Sequence, residues 1–231
     1  MRLFFGLVKS KVGKLLLASG AGKIPVVRRL VFRVYYDRNT WGDPESRSGG
    51  GSNLAQTEVI RRDLPALFHR WEVRSLLDVP CGDGHWWAGV DHDLEEYIGA
   101  DIVPGMIEER EKAARPGERF VCLDVATTPL PRADAILCRD LLVHLSFGLI
   151  QETVANFKRS GAEYLIATTF PGRSNQDIKT GRWRPLDLTA PPLNFPTPLE
   201  VVNEVCTEAG GLYSDKSLGV WRLSDLPNGS T

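Results

Sequence analysis

Three acids, Asp78, Asp101 and Asp124, are evenly spaced along this 231-residue chain, and each ends a short apolar run. The runs are Ser75–Val79, Tyr97–Ile102 and Phe120–Leu123, each read as a β-strand of a buried sheet. The first leads into Val79-Pro80-Cys81-Gly82-Asp83-Gly84, where two glycines let a backbone turn approach a ligand closely. An acid at the end of the second strand can accept hydrogen bonds from both hydroxyls of a ribose. An acid at the end of the third can accept from an exocyclic adenine amine. Together the three describe a binding edge for an adenosyl group.

Such an edge needs a sheet to carry it. Beyond the third run the pattern continues as a strand over Ala133–Cys138, a helix over Ser146–Lys158 and a strand over Tyr164–Thr169. A helix is expected after the glycine turn, a second over Pro104–Ala114 and a third over Val201–Ala209, with a last strand over Leu218–Leu223. Short apolar strands alternating with helices predict an α/β fold, a doubly wound, mostly parallel Rossmann-like sheet. Before it, Trp41 to Thr57 is a loop by composition, with three glycines ahead of Ser52. The helix that follows runs from Leu54 to about Trp71, interrupted near Pro65.

These motifs resemble those of class I S-adenosylmethionine-dependent methyltransferases. Asp78-Val-Pro80-Cys81-Gly82-Asp83-Gly84 is similar to that family's first motif, with Pro80 replacing the first glycine. Tyr97-Ile-Gly-Ala-Asp101-Ile102 resembles the second, Cys122-Leu-Asp124-Val125 the third, and Asp134 to Leu142 the fourth. The resemblance covers residues 71–223. It implies S-adenosylmethionine as cofactor and S-adenosylhomocysteine as product. The implied cofactor set is Trp41, Ser52, Asp78, Pro80, Cys81, Gly82, Asp83, Gly84, Asp101, Ile102, Asp124, Val125 and Arg139. A nicotinamide dehydrogenase would instead carry G-x-G-x-x-G, whereas Gly84 is followed by His85-Trp86-Trp87.

The family places its acceptor beside the fourth strand's end, here Arg139-Asp140-Leu141. A hydroxyl acceptor must lose a proton as it takes the methyl group. His144, one helical turn beyond Asp140, is the candidate base, with Asp140 orienting or assisting it. The alternative is that His144 only packs against the cofactor. Trp86 and Trp87 are expected at the substrate, and His85 could line the same pocket. His69 reads as a surface residue, and Asp91-His92-Asp93 as a solvated charge cluster rather than a metal site.

The stretch 171–198 is too long for an idle connection. It carries Asn175, Asp177, Arg182, Trp183, Arg184 and Asp187, then several prolines, and is expected to form a substrate lid. Trp183 with Arg182 suits a sugar, which needs an apolar face for stacking and polar groups for its hydroxyls. The expected activity is O-methylation of a small hydroxylated acceptor, a sugar or oligosaccharide first. Methylation of a lipid or hydrophobic metabolite at a membrane is the runner-up, and a catalytically silent binding protein the alternative from another class. A requirement for Mg²⁺ stays open.

Residues 1–36 carry Arg2, Lys9, Lys11, Lys14, Lys23, Arg28, Arg29 and Arg33 and no acid, although the net charge of the chain is −1. The remainder is therefore acidic, which argues against a nucleic-acid partner. Residues 1–40 are expected to form a basic amphipathic extension, and 41–231 the catalytic domain. Phe4, Phe5, Val8, Val12, Leu15 and Leu16 share a helical face, which suits peripheral contact with a membrane, a targeting peptide or packing on the domain. Lysines interrupt any run long enough to span a bilayer. The four cysteines are scattered, which fits a reducing cytoplasm.

Overall fold

The computed structural model describes residues 24–228. Seven strands form one sheet: β1 (Ser75–Asp78), β2 (Glu96–Asp101), β3 (Glu118–Cys122), β4 (Ala135–Cys138), β5 (Tyr164–Thr169), β6 (Glu200–Asn203) and β7 (Ser217–Arg222). Their spatial order is β3-β2-β1-β4-β5-β7-β6. The first five pair in parallel, and β7 runs antiparallel to both neighbours. Every residue of β4 and β5 is buried, as expected of central strands covered on both faces. This is the expected mostly parallel, Rossmann-like sheet.

Two hydrophobic layers cover it. On one side α2 (Glu58–Arg70) packs Ile60, Leu64, Leu67 and Phe68 against the sheet. On the other α4 (Phe147–Ser160) contributes Leu149, Ile150, Val154 and Phe157. Gly161, at φ 77°, ends α4 in the left-handed cap that glycine adopts freely. α3 (Pro104–Lys112) follows β2, and α1 (Pro25–Asp37) lies across the carboxyl ends of the parallel strands. Pro65 lies inside α2, which continues through it rather than being interrupted there. A proline removes one ladder bond, and the four buried apolar side chains hold the helix together across it.

Two predicted helices are absent. After β1 there is only a single 3-10 turn, Trp87–Gly89. Gly82 and Gly84 take left-handed φ values of 57° and 64°, and Trp86 and Trp87 are both buried. Residues with left-handed φ cannot belong to a right-handed helix, so none can run through the turn that follows β1. The second departure is Val201–Ala209, where the structure has β6 followed by a turn. Val201 and Val202 are β-branched, and half-buried and exposed residues alternate through β6, which pairs with β7. Only Glu208–Gly211 is helical, and Ala209 and Gly210 within it have positive φ.

The segment 171–198 has no regular element but is packed. Leu186, Leu188, Leu193 and Phe195 are buried in the core. The Asn175 amide donates to the carbonyls of Asp187 (2.7 Å), Ala190 (3.2 Å) and Pro191 (3.1 Å). Most of the predicted basic extension, residues 1–23, lies outside the described residues. Among the described residues, no helix is long and apolar enough to cross a membrane.

Candidate active site

Two adjoining cavities open at the carboxyl ends of the parallel strands. Ten of the residues expected to hold the cofactor line the first: Trp41, Ser52, Pro80, Cys81, Gly82, Asp101, Ile102, Asp124, Val125 and Arg139. The second lies between the glycine loop, the end of β4 and the hairpin that leads into β7. Phe170, Trp183, Glu208, Tyr213 and Lys216 line it. Trp41, Ser48, Asp140 and His144 line both, so these four frame the opening between them.

Asp101 sits at the end of β2, and its carboxylate accepts from the Val103 N–H (3.0 Å). Burial pushes its pKa up to about 6, against the backbone N–H groups of Val103, Gly82 and Ile102, which favour the charged form. No cation pairs with it among the described residues. A buried acid in that state is suited to hydroxyl donors, and a ribose offers two. Gly82 lines the same cavity and lets the Ser48 loop pack against the turn, since a Cβ there would lie 2.3 Å from Ser48 Oγ. These residues fit the ribose and backbone-contacting parts of an adenosyl cofactor.

Three members of the predicted cofactor set stand elsewhere. Asp78 is buried behind the cavity, where Tyr97 OH donates to it at 2.6 Å. Burial pushes its pKa up to about 7, with that hydrogen bond and Arg139 acting in the opposite direction. Asp83 instead clamps the preceding loop. Ser46 Oγ (3.0 Å), the Arg47 N–H (2.7 Å) and Ser48 Oγ (3.2 Å) all donate to it. Gly84 faces Arg110, whose guanidinium fills the space a Cβ would take.

A family model described as "Methyltransferase domain" matches residues 76–161, the span from β1 through α4. Residues 76–161 form a class I, S-adenosylmethionine-dependent methyltransferase domain. Among solved structures, the Burkholderia thailandensis 1,6-didemethyltoxoflavin-N1-methyltransferase, with substrate and S-adenosylhomocysteine bound, is 17% identical. That match covers 85% of this chain and 87% of the other, at a TM-score of 0.58. Human N-acetylserotonin methyltransferase with S-adenosylmethionine is 13% identical, covering 71% of this chain and 51% of that one, at a TM-score of 0.52. The methyltransferase domain of bacterial CtHen1 is 16% identical, covering 51% of this chain and 66% of that one, at a TM-score of 0.43. At these identities the likeness is one of fold. No curated protein matches in sequence.

On the acceptor side of the methyltransferase, His144 sits in a 3-10 turn, Leu142–His144, just past β4. Its Nδ1 lies 3.0 Å from the carbonyl oxygen of Arg182. A carbonyl only accepts, so the proton is on Nδ1, and Nε2 keeps its lone pair. Burial lowers the pKa of His144, opposed by the Arg182 carbonyl and Asp140. The turn is braced by Arg184, which donates to the carbonyls of Leu142 (3.0 Å), Val143 (2.9 Å) and Leu145 (2.9 Å).

Asp140 makes no hydrogen bond to the histidine and acts on it through its charge alone. It is engaged by Lys216 Nζ at 2.6 Å and by Arg139 Nη1 at 3.3 Å. Of the predicted substrate residues, only Trp183 lines the second cavity. Trp86 lines the first, under the Arg139 guanidinium at 5.5 Å. Trp87 is fully buried and stacks on Tyr97 at 4.3 Å, which removes it from any ligand. Arg182 contributes its carbonyl and turns its side chain to solvent.

Sequence reasoning missed Lys216, Tyr213, Glu208 and Phe170, which no motif marks. It also missed Arg28, Phe32 and Tyr36 of α1, which line the cofactor cavity. Among the described residues no group of three His, Cys, Asp or Glu side chains is placed to hold a metal ion.

Proposed function

We propose that this methyltransferase transfers the methyl group to a hydroxyl of a small acceptor, a sugar or oligosaccharide, with His144 as general base. The observation that carries the reading is the Arg182 carbonyl on His144 Nδ1, which leaves Nε2 unprotonated at the opening between the two cavities. When bound, S-adenosylmethionine supplies an electrophilic methyl on a sulfonium, already a good leaving group. The protein's share is to orient the acceptor, exclude water and take one proton.

The acceptor cavity suits a hydroxylated ring. Trp41, Phe170, Trp183 and Tyr213 offer apolar faces for stacking, while Asp140, Glu208 and Lys216 offer hydrogen-bonding groups for hydroxyls. Trp183 and Tyr213 meet edge to face at 4.8 Å, so one ring braces the other. In this reading residues 41–231 form the catalytic domain, and α1 from the preceding extension completes the wall of its cofactor cavity. The segment 171–198 is a fixed wall of the acceptor cavity rather than a hinged lid.

The test is transfer from labelled S-adenosylmethionine to a panel of mono- and oligosaccharides, with amines and fatty acids as comparison acceptors. The reading requires label on oxygen. Label found only on nitrogen would overturn it.

A further inference from the structure

The acid expected to read the adenine amine is already paired with protein donors on both oxygens. Asp124 Oδ2 accepts from Arg28 Nε (3.1 Å) and Nη2 (2.5 Å). Its Oδ1 accepts from Arg28 Nε (3.2 Å) and from the Ala126 N–H (3.1 Å). Three N–H donors, with the single hydrogen of Arg28 Nε shared between the two oxygens, thus occupy both oxygens of Asp124. Both side chains are almost wholly buried, at 3% and 5% exposure. Arg28 comes from α1, and its helix neighbours Phe32 and Tyr36 line the same cavity. Asp101, at the ribose position, has no such competitor among the described residues.

We propose that Arg28 sets the affinity for the cofactor by competing with its base for Asp124, so that α1 gates the cofactor cavity. The guanidinium and an exocyclic amine are both donors and need the same carboxylate oxygens. Only one can hold them at a time. The competent state is therefore the fraction of molecules in which Arg28 has left Asp124, and the apparent affinity is reduced by that fraction.

The gate reaches both cavities. Tyr36 OH donates to Glu109 on α3 at 2.8 Å, and Tyr35 OH donates to the Gly181 carbonyl at 3.0 Å. Tyr35 also meets Trp41 edge-on at 5.4 Å. Gly181 adjoins Arg182, whose carbonyl holds His144. Seating α1 thus ties closure over the cofactor to the segment that orients the base. The proposal rests on the adenosyl edge of Asp101 and Asp124.

The experiment measures S-adenosylhomocysteine binding to the full chain by calorimetry and by stopped-flow tryptophan fluorescence, since Trp41 and Trp86 line the cavity. Arg28→Ala is expected to speed association and tighten binding by about tenfold, because the competing state is removed. Arg28→Lys keeps the cation with fewer fixed donors and is expected to fall between wild type and Arg28→Ala. It carries the test should the alanine variant fail to fold. Weaker or unchanged binding in whichever variant folds would overturn the competition.

The inosine analogue, with an oxo group in place of the amine, adds a second criterion. It should gain little in Arg28→Ala, and an equal gain would also overturn the proposal. Asp101→Ala reports on the edge itself. If that variant also binds normally, the adenosyl placement is wrong. If only the Arg28 result fails, the placement stands and the gate does not.

Discussion

Lys216 Nζ lies 2.6 Å from Asp140 Oδ2, at the point where the cofactor and acceptor cavities meet. Around this contact, Arg139 pairs with Glu204 at 2.5 Å and reaches Asp140 at 3.3 Å, and Lys216 lies 3.5 Å from Glu204. Two cations and two carboxylates thus neutralise one another beneath the site. Asp140 has φ 55°, a left-handed conformation that is strained for a residue other than glycine. The network holds this strained residue, with the Asp140 N–H also donating to Thr168 Oγ1 at 2.8 Å.

Removing Lys216 should therefore cost stability. Lys216→Met would leave the cluster with one excess buried negative charge. Losing one partner of a buried pair costs about 3–5 kcal/mol, and the low end applies because Asp140 is 26% exposed. Burial alone would raise the pKa of Asp140, but Lys216 and Arg139 outweigh it and hold it at about 2. A depressed carboxylate stabilises the fold above its unfolded pKa of 3.8, and that share is lost as pH falls from there towards 2. Denaturant titrations across this window should show a shallower acid loss in Lys216→Met than in wild type.

Asp101 predicts the opposite pH dependence. Its pKa is raised by burial to about 6 and that of Asp78 to about 7, so both favour the native state below the ordinary carboxylate range. Their contributions fade as pH rises through 6 and 7. Ribose hydroxyls donate best to the charged form of Asp101. Affinity for S-adenosylhomocysteine should therefore rise with pH up to about 6 and then level off. Asp101→Ala should weaken binding by roughly 10- to 150-fold, from the 1.5–3 kcal/mol of hydrogen bonds to a charged acceptor, and flatten the pH dependence. Calorimetry in buffers of different ionisation enthalpy would detect the released proton. A pH-independent wild type would contradict this role.

Asp83 acts through the loop it holds. Its bonds to Ser46, Arg47 and Ser48 fix the stretch that brings Ser48 and Trp41 to both cavities. Asp83→Ala should raise amide hydrogen exchange over residues 43–52 while leaving β1 and β2 protected. Binding of S-adenosylhomocysteine should weaken by roughly tenfold, about 1.4 kcal/mol. Unchanged exchange in that loop would show that Asp83 does not anchor it.

The parts legible in the sequence are those with local causes. β2, β4 and β5 are apolar runs buried on both faces, so composition alone marks them. Asp101 and Gly82 were found because a strand end and a glycine turn leave a signature. Val201–Ala209 reads as a helix in sequence, whereas its strand character comes from pairing with β7, a tertiary contact. After β1 the left-handed Gly82 and Gly84 and a single 3-10 turn take the place of the expected helix. Arg28 and Asp124 are 96 residues apart, and no spacing rule joins them. Lys216 reaches Asp140 because β7 inserts antiparallel beside β5, a feature of topology rather than motif.

The proton-transfer step gives the sharpest test of the proposed chemistry. If His144 takes the acceptor's proton, His144→Ala should lower kcat by about 10²–10⁴ while leaving S-adenosylhomocysteine affinity nearly intact. The active form is the neutral imidazole with its proton on Nδ1, held there by the Arg182 carbonyl. Burial lowers the pKa of His144, so the wild-type rate should rise with pH and level off below about 6.5, the ordinary histidine value. His144→Gln keeps hydrogen-bonding capacity without a titrating base, so it should lose both the activity and that limb of the profile. A packing role predicts a lowered melting temperature or lost cofactor affinity, with the pH profile unaltered. Dependence on added Mg²⁺, with loss on chelation, would point to a metal lowering the hydroxyl's pKa instead. That result would also require Asp140 to leave Lys216 before it could serve as a ligand.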